Sequence, residues 1–218
     1  MKLGNTIIFG DSYSTFNRYI PEGYAVYYTP TREIPDVRRV EDTWWHMLIT
    51  ELDGNIVRND SWSGSTVCFT GYNGTDCSKT SSFIYRLNKL ESEGFFSSNK
   101  LDTVFIFGGT NDSWANAPLG ELKYSNWENK ELYNVLPAIC YFINRVKEVV
   151  GDAHIVCVIN SDLKPEVTNG FVSACEKYGV EYVKLENIDK MNGHPSVKGM
   201  NSIKDQIKTK LVKDYNLK

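Results

Sequence analysis

Five short runs rich in β-branched or aromatic residues recur along the chain, at residues 6–9, 55–58, 103–107, 155–159 and 182–185. Runs of four or five such residues, bounded by glycine or polar clusters, predict strands. Between and after them, apolar positions recur with helical spacing. These segments predict helices over roughly 43–52, 81–93, 129–150, 165–178 and 196–212. Strands alternating with helices imply parallel pairing through right-handed crossovers, hence a three-layer α/β/α sandwich around a five-stranded parallel sheet. Run 103–107 is apolar throughout, as expected of a central strand covered on both faces. Two segments break the alternation. Residues 13–42 are rich in Tyr, Pro and Arg, and residues 66–80 in Gly, Thr and Ser. Both follow predicted strand ends and reach or pass the roughly 12–15 residues beyond which loops are usually functional or disordered, so they are expected to wall a functional site.

Composition narrows the function classes. The chain of 218 residues suits one sizeable core, read here as a single domain over residues 1–218. Its net charge is −3 and it has no basic tract, which argues against nucleic acid or an anionic membrane surface as partner. Its apolar runs fall short of a bilayer span. No apolar leader follows Met1-Lys2, so the chain reads as cytoplasmic or as a secreted form whose leader has been removed. Five cysteines show no metal-ligand spacing. Cys140, Cys157 and Cys175 lie in apolar patterns and read as core residues. Cys68 and Cys77 share one loop; they could pair in an oxidising compartment, though so short a loop can strain the bond.

Candidate chemistry clusters where predicted strands end. The first run breaks into Gly10-Asp11-Ser12, which places a serine at the carboxyl end of a strand with its N–H at a helix start. Ligands of open α/β sheets bind at that edge, and free N–H groups there favour negative charge. Asp and Ser are also ordinary N-cap residues. The second run leads to Ser63-Gly64-Ser65-Thr66, where Gly64 either presents a bare N–H to an anion or simply serves a polar loop. The third ends in Gly108-Gly109-Thr110-Asn111-Asp112. Asn111 there either aims its amide into a cleft as an oxyanion donor or caps a turn. Near the C-terminus, His194-Pro195 places a histidine on a loop at the same edge, with the proline suited to the first turn of the last helix. An imidazole there suits general-base work near neutral pH. His46 falls within a predicted helix and His154 opens a strand, so both read as structural or solvated.

These four blocks, in this order, resemble the SGNH hydrolases, also called the GDSL esterase/lipase family. The resemblance runs from residue 6 to about 210. It implies a flavodoxin-like sheet of strand order 2-1-3-4-5 and a serine esterase that forms an acyl-serine without metal or cofactor. Carried over motif by motif, it implies Ser12 as nucleophile and His194 as base. Ser12 N–H, Gly64 N–H and the Asn111 side chain would hold the oxyanion. Family members usually carry Asp three residues before the histidine; here that residue is Met191. Either Asp189 swings in, or a backbone carbonyl accepts from the ring. The Tyr-, Trp- and Arg-rich loops suit a small-molecule or carbohydrate ester, with a short acyl group such as acetyl. A lipase or thioesterase of the same family is the alternative, as is a catalytically weak or inactive glycan-binding protein. The oligomeric state is not indicated.

Overall fold

The computed structural model describes residues 1–215. Strands β1 (Gly4–Gly10), β2 (Gly54–Ser61), β3 (Thr103–Phe107), β4 (His154–Ile159) and β5 (Glu181–Lys184) form one sheet of order β2-β1-β3-β4-β5. Every neighbouring pair is parallel. The order reverses at β1: the chain first moves outward to β2, then crosses back to β3. The carboxyl ends of β1 and β3 therefore splay toward opposite faces and leave a crevice, the usual ligand site of such sheets.

Alternation along the strands builds two cores. Ile7 and Phe9 of β1, Val104 and Ile106 of β3, and Ile155 and Cys157 of β4 face α2 (Phe83–Ser92), α5 (Val135–Val150) and α6 (Pro165–Tyr178). Ile8, Phe105, Phe107, Val156 and Val158 face α1 (Trp44–Glu51) and α7 (Val197–Tyr215). Each buried aliphatic or phenyl side chain contributes roughly 1.5–3 kcal/mol of transfer free energy, which gives the central strands a rigid base. Two short helices, α3 (Phe95–Ser98) and α4 (Thr110–Trp114), complete the helical set. Among the described residues, no helix is long and apolar enough to cross a membrane.

Three boundaries differ from the sequence reading, each for an identifiable reason. Strand β2 runs on to Ser61, because Asn59, Asp60 and Ser61 are buried and satisfied. Asn59 donates to Ser14 O (2.9 Å), Ser61 Oγ donates to Asn59 Oδ1 (2.6 Å), and buried Arg86 pairs with Asp60 (3.0 Å). Polar letters thus disguised a buried strand. The single helix expected over 129–150 is divided. A 3₁₀ turn, Asn129–Tyr133, precedes an extended Asn134, and α5 follows. Pro137 explains the break: a continuous helix would drive its ring into the Tyr133 carbonyl. That carbonyl instead accepts from Thr70 Oγ1 at 2.7 Å. The third difference concerns His194. It lies on a hairpin of β6 (Lys190–Met191) and β7 (His194–Pro195), not on a free loop. Asn192-Gly193, both at positive φ, make the two-residue turn that such hairpins favour. Pro195 belongs to β7 rather than to the last helix. Ser196 caps α7 by accepting from Gly199 N–H at 3.1 Å. All five cysteines are free, Cys68 and Cys77 included.

Candidate active site

The site starts from a tight corner after β1. Gly10 is required there, since a Cβ would overlap Ser61 Oγ and Ser14 Cβ. Asp11 caps the 3₁₀ turn Ser12–Ser14 by accepting from Tyr13 N–H at 3.0 Å. Burial pushes the Asp11 carboxyl up to about 7. Ser12 opens that turn, and its Oγ lies 3.0 Å from His194 Nε2. The histidine arrives from 182 residues away, and two tyrosines hold its hairpin in place. Tyr13 O–H donates to Gly193 O, and Tyr28 O–H donates to Pro195 O at 2.9 Å.

The ring of His194 is walled by aromatics. Tyr27 stacks on it, centroids 3.5 Å apart and planes 10° from parallel. Tyr13 and Trp114 approach at 5.4 and 5.5 Å. Nδ1 lies 3.2 Å from the Asn192 carbonyl. That contact assigns the proton to Nδ1 and leaves the Nε2 lone pair facing the serine. Asp189 does not reach the ring; its carboxylate accepts from Ser196 Oγ instead. Desolvation lowers the pKa of His194 to about 4, against a weaker upward pull from the Asn192 carbonyl. The charges of Arg32 and Lys190 also push it down.

The second and third blocks are tied to the first by backbone and side-chain bonds. Trp62 N–H donates to Gly10 O at 3.1 Å, so the loop after β2 leaves beside Ser12. Arg86 braces the corner by donating to Gly10 O and Ser65 Oγ, both at 3.2 Å. Gly64 sits at φ 82°, exposed, with open space where a side chain would be. Among the described residues, none accepts from the backbone N–H of Ser12 or Gly64. Asn111 opens the α4 side of the crevice, and its Nδ2 donates to Ser65 O at 2.9 Å. One Nδ2 hydrogen is left over. Asp112, next in sequence, accepts from Val67 N–H and Cys68 N–H and so fixes the loop after β2 to α4. The fold therefore brings Ser12, Gly64, Asn111 and His194 to one sheet edge. Free N–H donors at the same sheet edge as a serine hydroxyl hydrogen-bonded to a neutral imidazole suit acyl transfer through an oxyanion.

The sequence profile of the GDSL-like lipase/acylhydrolase family matches residues 5–211. The chain belongs to this family. It is an ester hydrolase, and a serine nucleophile with an oxyanion hole is typical of the family. A Bacteroides ovatus protein assigned as a GDSL-like lipase is 40% identical, with a TM-score of 0.90, over 98% of this chain and 100% of that one. A Bacteroides uniformis protein with the same assignment is 41% identical, with a TM-score of 0.88, over 95% of each chain. The fold is also that of an acetyl xylan esterase from Butyrivibrio proteoclasticus, at 17% identity and a TM-score of 0.61, covering 99% of this chain and 66% of that one. Among curated proteins, none matches the chain.

Sequence reasoning missed Tyr27, Tyr28 and Tyr72. The first two lie in segment 13–42, whose aromatic richness marked the segment without marking the residues. Tyr72 donates to Asn111 Oδ1 at 2.8 Å from segment 66–80. A groove of about 1280 Å³ between β5 and α7 lies at the far sheet edge, and neither histidine nor cysteine lines it. Among the described residues, no group of three His, Cys, Asp or Glu side chains could hold a metal ion.

Proposed function

We propose that this esterase removes short acyl groups, acetyl foremost, from polar alcohols of the carbohydrate type through an acyl-serine intermediate. The 3.0 Å contact between Ser12 Oγ and His194 Nε2 carries the reading. In the first half-reaction Nε2 accepts the Ser12 proton while Oγ bonds to the acyl carbon. The carbonyl oxygen takes the negative charge, facing Ser12 N–H, Gly64 N–H and the free Nδ2 hydrogen of Asn111. The tetrahedral centre collapses, the ester C–O bond breaks, and Nε2–H gives its proton to the departing alkoxide. Water then repeats the sequence on the acyl-serine, releasing the acid.

The acyl and alcohol preferences rest on the walls of the site. The ring of His194 is bordered by Tyr27 and Trp114, with buried Tyr13 and Tyr28 behind it, and not by aliphatic side chains. Trp114 is 44% exposed beside the histidine, an amphipathic surface suited to a sugar ring. The shared fold of the acetyl xylan esterase supports the same direction. The test is hydrolysis of p-nitrophenyl esters from acetyl to octanoyl, beside acetate release from acetylated xylo-oligosaccharides. Highest kcat/KM on acetyl, with acetate released from the sugar, is expected. A maximum at octanoyl would overturn the short-acyl reading, and failure on every acetylated sugar would overturn the alcohol class.

A further inference from the structure

Tyr72 reaches the site from a loop that has no structural need of it. The residue is 40% exposed, so its ring is only partly packed. Its phenol makes one polar contact, donating to Asn111 Oδ1 at 2.8 Å across 39 residues of sequence. The loop itself is well ordered by other groups. Thr70 and Asp76 form an antiparallel bridge, Gly71 N–H donates to Thr75 O at 2.8 Å, and Cys77 N–H donates to Phe69 O at 2.7 Å. Gly71 is needed because a Cβ there would meet Cys77 Sγ at 2.6 Å. Tyr133 O–H then ties the loop to the start of the α5 region through Asp76 at 3.2 Å. The phenol is thus presented on a frame that stands without it.

We propose that Tyr72 is a positioning residue of the oxyanion hole, holding and polarising the Asn111 amide through Oδ1. The proposal rests on the reading of Asn111 as an oxyanion donor. Ser65 O already takes one Nδ2 hydrogen, so the amide has a single N–H to offer substrate. A donor on Oδ1 fixes the other end of the amide and stops the plane from rocking. It also draws electron density toward the oxygen, which makes the remaining N–H a stronger donor. The Tyr72 bond should therefore tighten as negative charge develops on the substrate. Its benefit falls on the transition state and leaves ground-state binding unchanged.

The test is Tyr72→Phe, which keeps the ring and removes the O–H, assayed with p-nitrophenyl acetate alone and in the Asn111→Ala background. Loss of one neutral hydrogen bond predicts a fall in kcat of about three- to tenfold. KM should move less than about twofold, since no substrate contact is removed. In the Asn111→Ala background the same change should cost nothing further, because the group it acts through is gone. A boronic acid that forms a tetrahedral adduct with the serine should bind Tyr72→Phe more weakly by the same factor as kcat. The thermal midpoint should not change, which a structural role would not allow. An unchanged kcat in Tyr72→Phe overturns the proposal. So does a loss that appears in KM, or one that persists at full size without Asn111, either of which would make Tyr72 a substrate contact. If Asn111→Ala keeps near-parental kcat, the oxyanion reading itself falls. If Asn111→Ala loses about 10²–10³ and Tyr72→Phe loses nothing, only the Tyr72 proposal falls. The boronate comparison decides the matter on Tyr72→Phe alone should the Asn111 variant fail to fold.

Discussion

Met191→Asp is the most informative single change, because the hairpin sets that position opposite His194. Met191 and His194 pair directly across a two-residue turn. Directly opposed residues of an antiparallel pair share a face, with Cβ atoms about 4.5–5.5 Å apart. Met191 is 36% exposed, so a carboxylate there would keep much of its hydration. Met191 is thus not packed where a charge is costly. At 4 Å, opposite unit charges attract by about 1 kcal/mol in water and about 4 kcal/mol at an effective dielectric near 20. With one partner partly exposed and His194 buried, the pair lies between the two figures, which raises the histidine by about one to two units. The parent His194 is pushed down to about 4, chiefly by desolvation. Its neutral form is the active base, so the acidic limb of kcat/KM should lie near pH 4 in the parent and move up by about one to two units in Met191→Asp. Activity at pH 5 should therefore fall relative to the plateau. Plateau kcat should rise by about three- to tenfold, because the imidazolium formed during acyl transfer gains a counter-charge. Met191→Asn supplies the uncharged control and should leave the limb where it is. The assay is initial-rate hydrolysis of p-nitrophenyl acetate from pH 3.5 to 8. A parental limb at pH 6 or above would refute the desolvation argument. An unmoved limb in Met191→Asp would show that its carboxylate never engages His194.

Four further outcomes follow from the same geometry. Ser12→Ala, His194→Ala and the double variant should lose similar, large factors in kcat while keeping the parental circular dichroism spectrum, because the pair acts as a unit; additive losses would contradict the 3.0 Å coupling. Asp189→Ala should cost less than about tenfold in kcat/KM, since its carboxylate serves Ser196 and not the ring; a loss near 10⁴ would make it the orienting acid after all. Tyr27→Ala should raise the acidic limb by about one unit, because removing the stacked ring readmits water to the imidazole; a profile identical to the parent's would exclude that ring as a source of the desolvation. Arg86→Ala should lower unfolding free energy by about 2–4 kcal/mol in urea titration, as the buried Asp60 carboxylate then keeps only the partly exposed Arg58 as its cationic partner; a loss under about 1 kcal/mol would show that water reaches that corner.

Much of the candidate site was legible because its residues sit in short motifs at strand ends. Gly10-Asp11-Ser12 and Gly109-Thr110-Asn111-Asp112 read correctly as corners after apolar runs. The conformations bear this out: Gly109 adopts φ 89°, which no side chain tolerates easily. The partner of His194 was not legible. A backbone carbonyl leaves no letter in the sequence, and the choice between Asp189 and a carbonyl turned on the hairpin geometry around Asn192-Gly193. Tyr27 and Tyr72 were invisible for a related reason. Among 13 tyrosines, none carries a sign of the residue its ring will stack on or its hydroxyl will reach.

The sequence by itself determined the alternation of strand and helix, and with it the parallel sheet and its two cores. That information is local: period-two burial faces on the strands, helical stripes between them, and glycines where a corner admits no Cβ. Only the tertiary structure decided how the edge of that sheet behaves chemically. The histidine meets the serine across 182 residues because Tyr13 and Tyr28 pin its hairpin. Its pKa is low because aromatic rings from a 30-residue loop exclude water from it. Desolvation and hydrogen-bond direction depend on which distant groups are brought within a few ångströms, and no local pattern of apolar and polar letters encodes that.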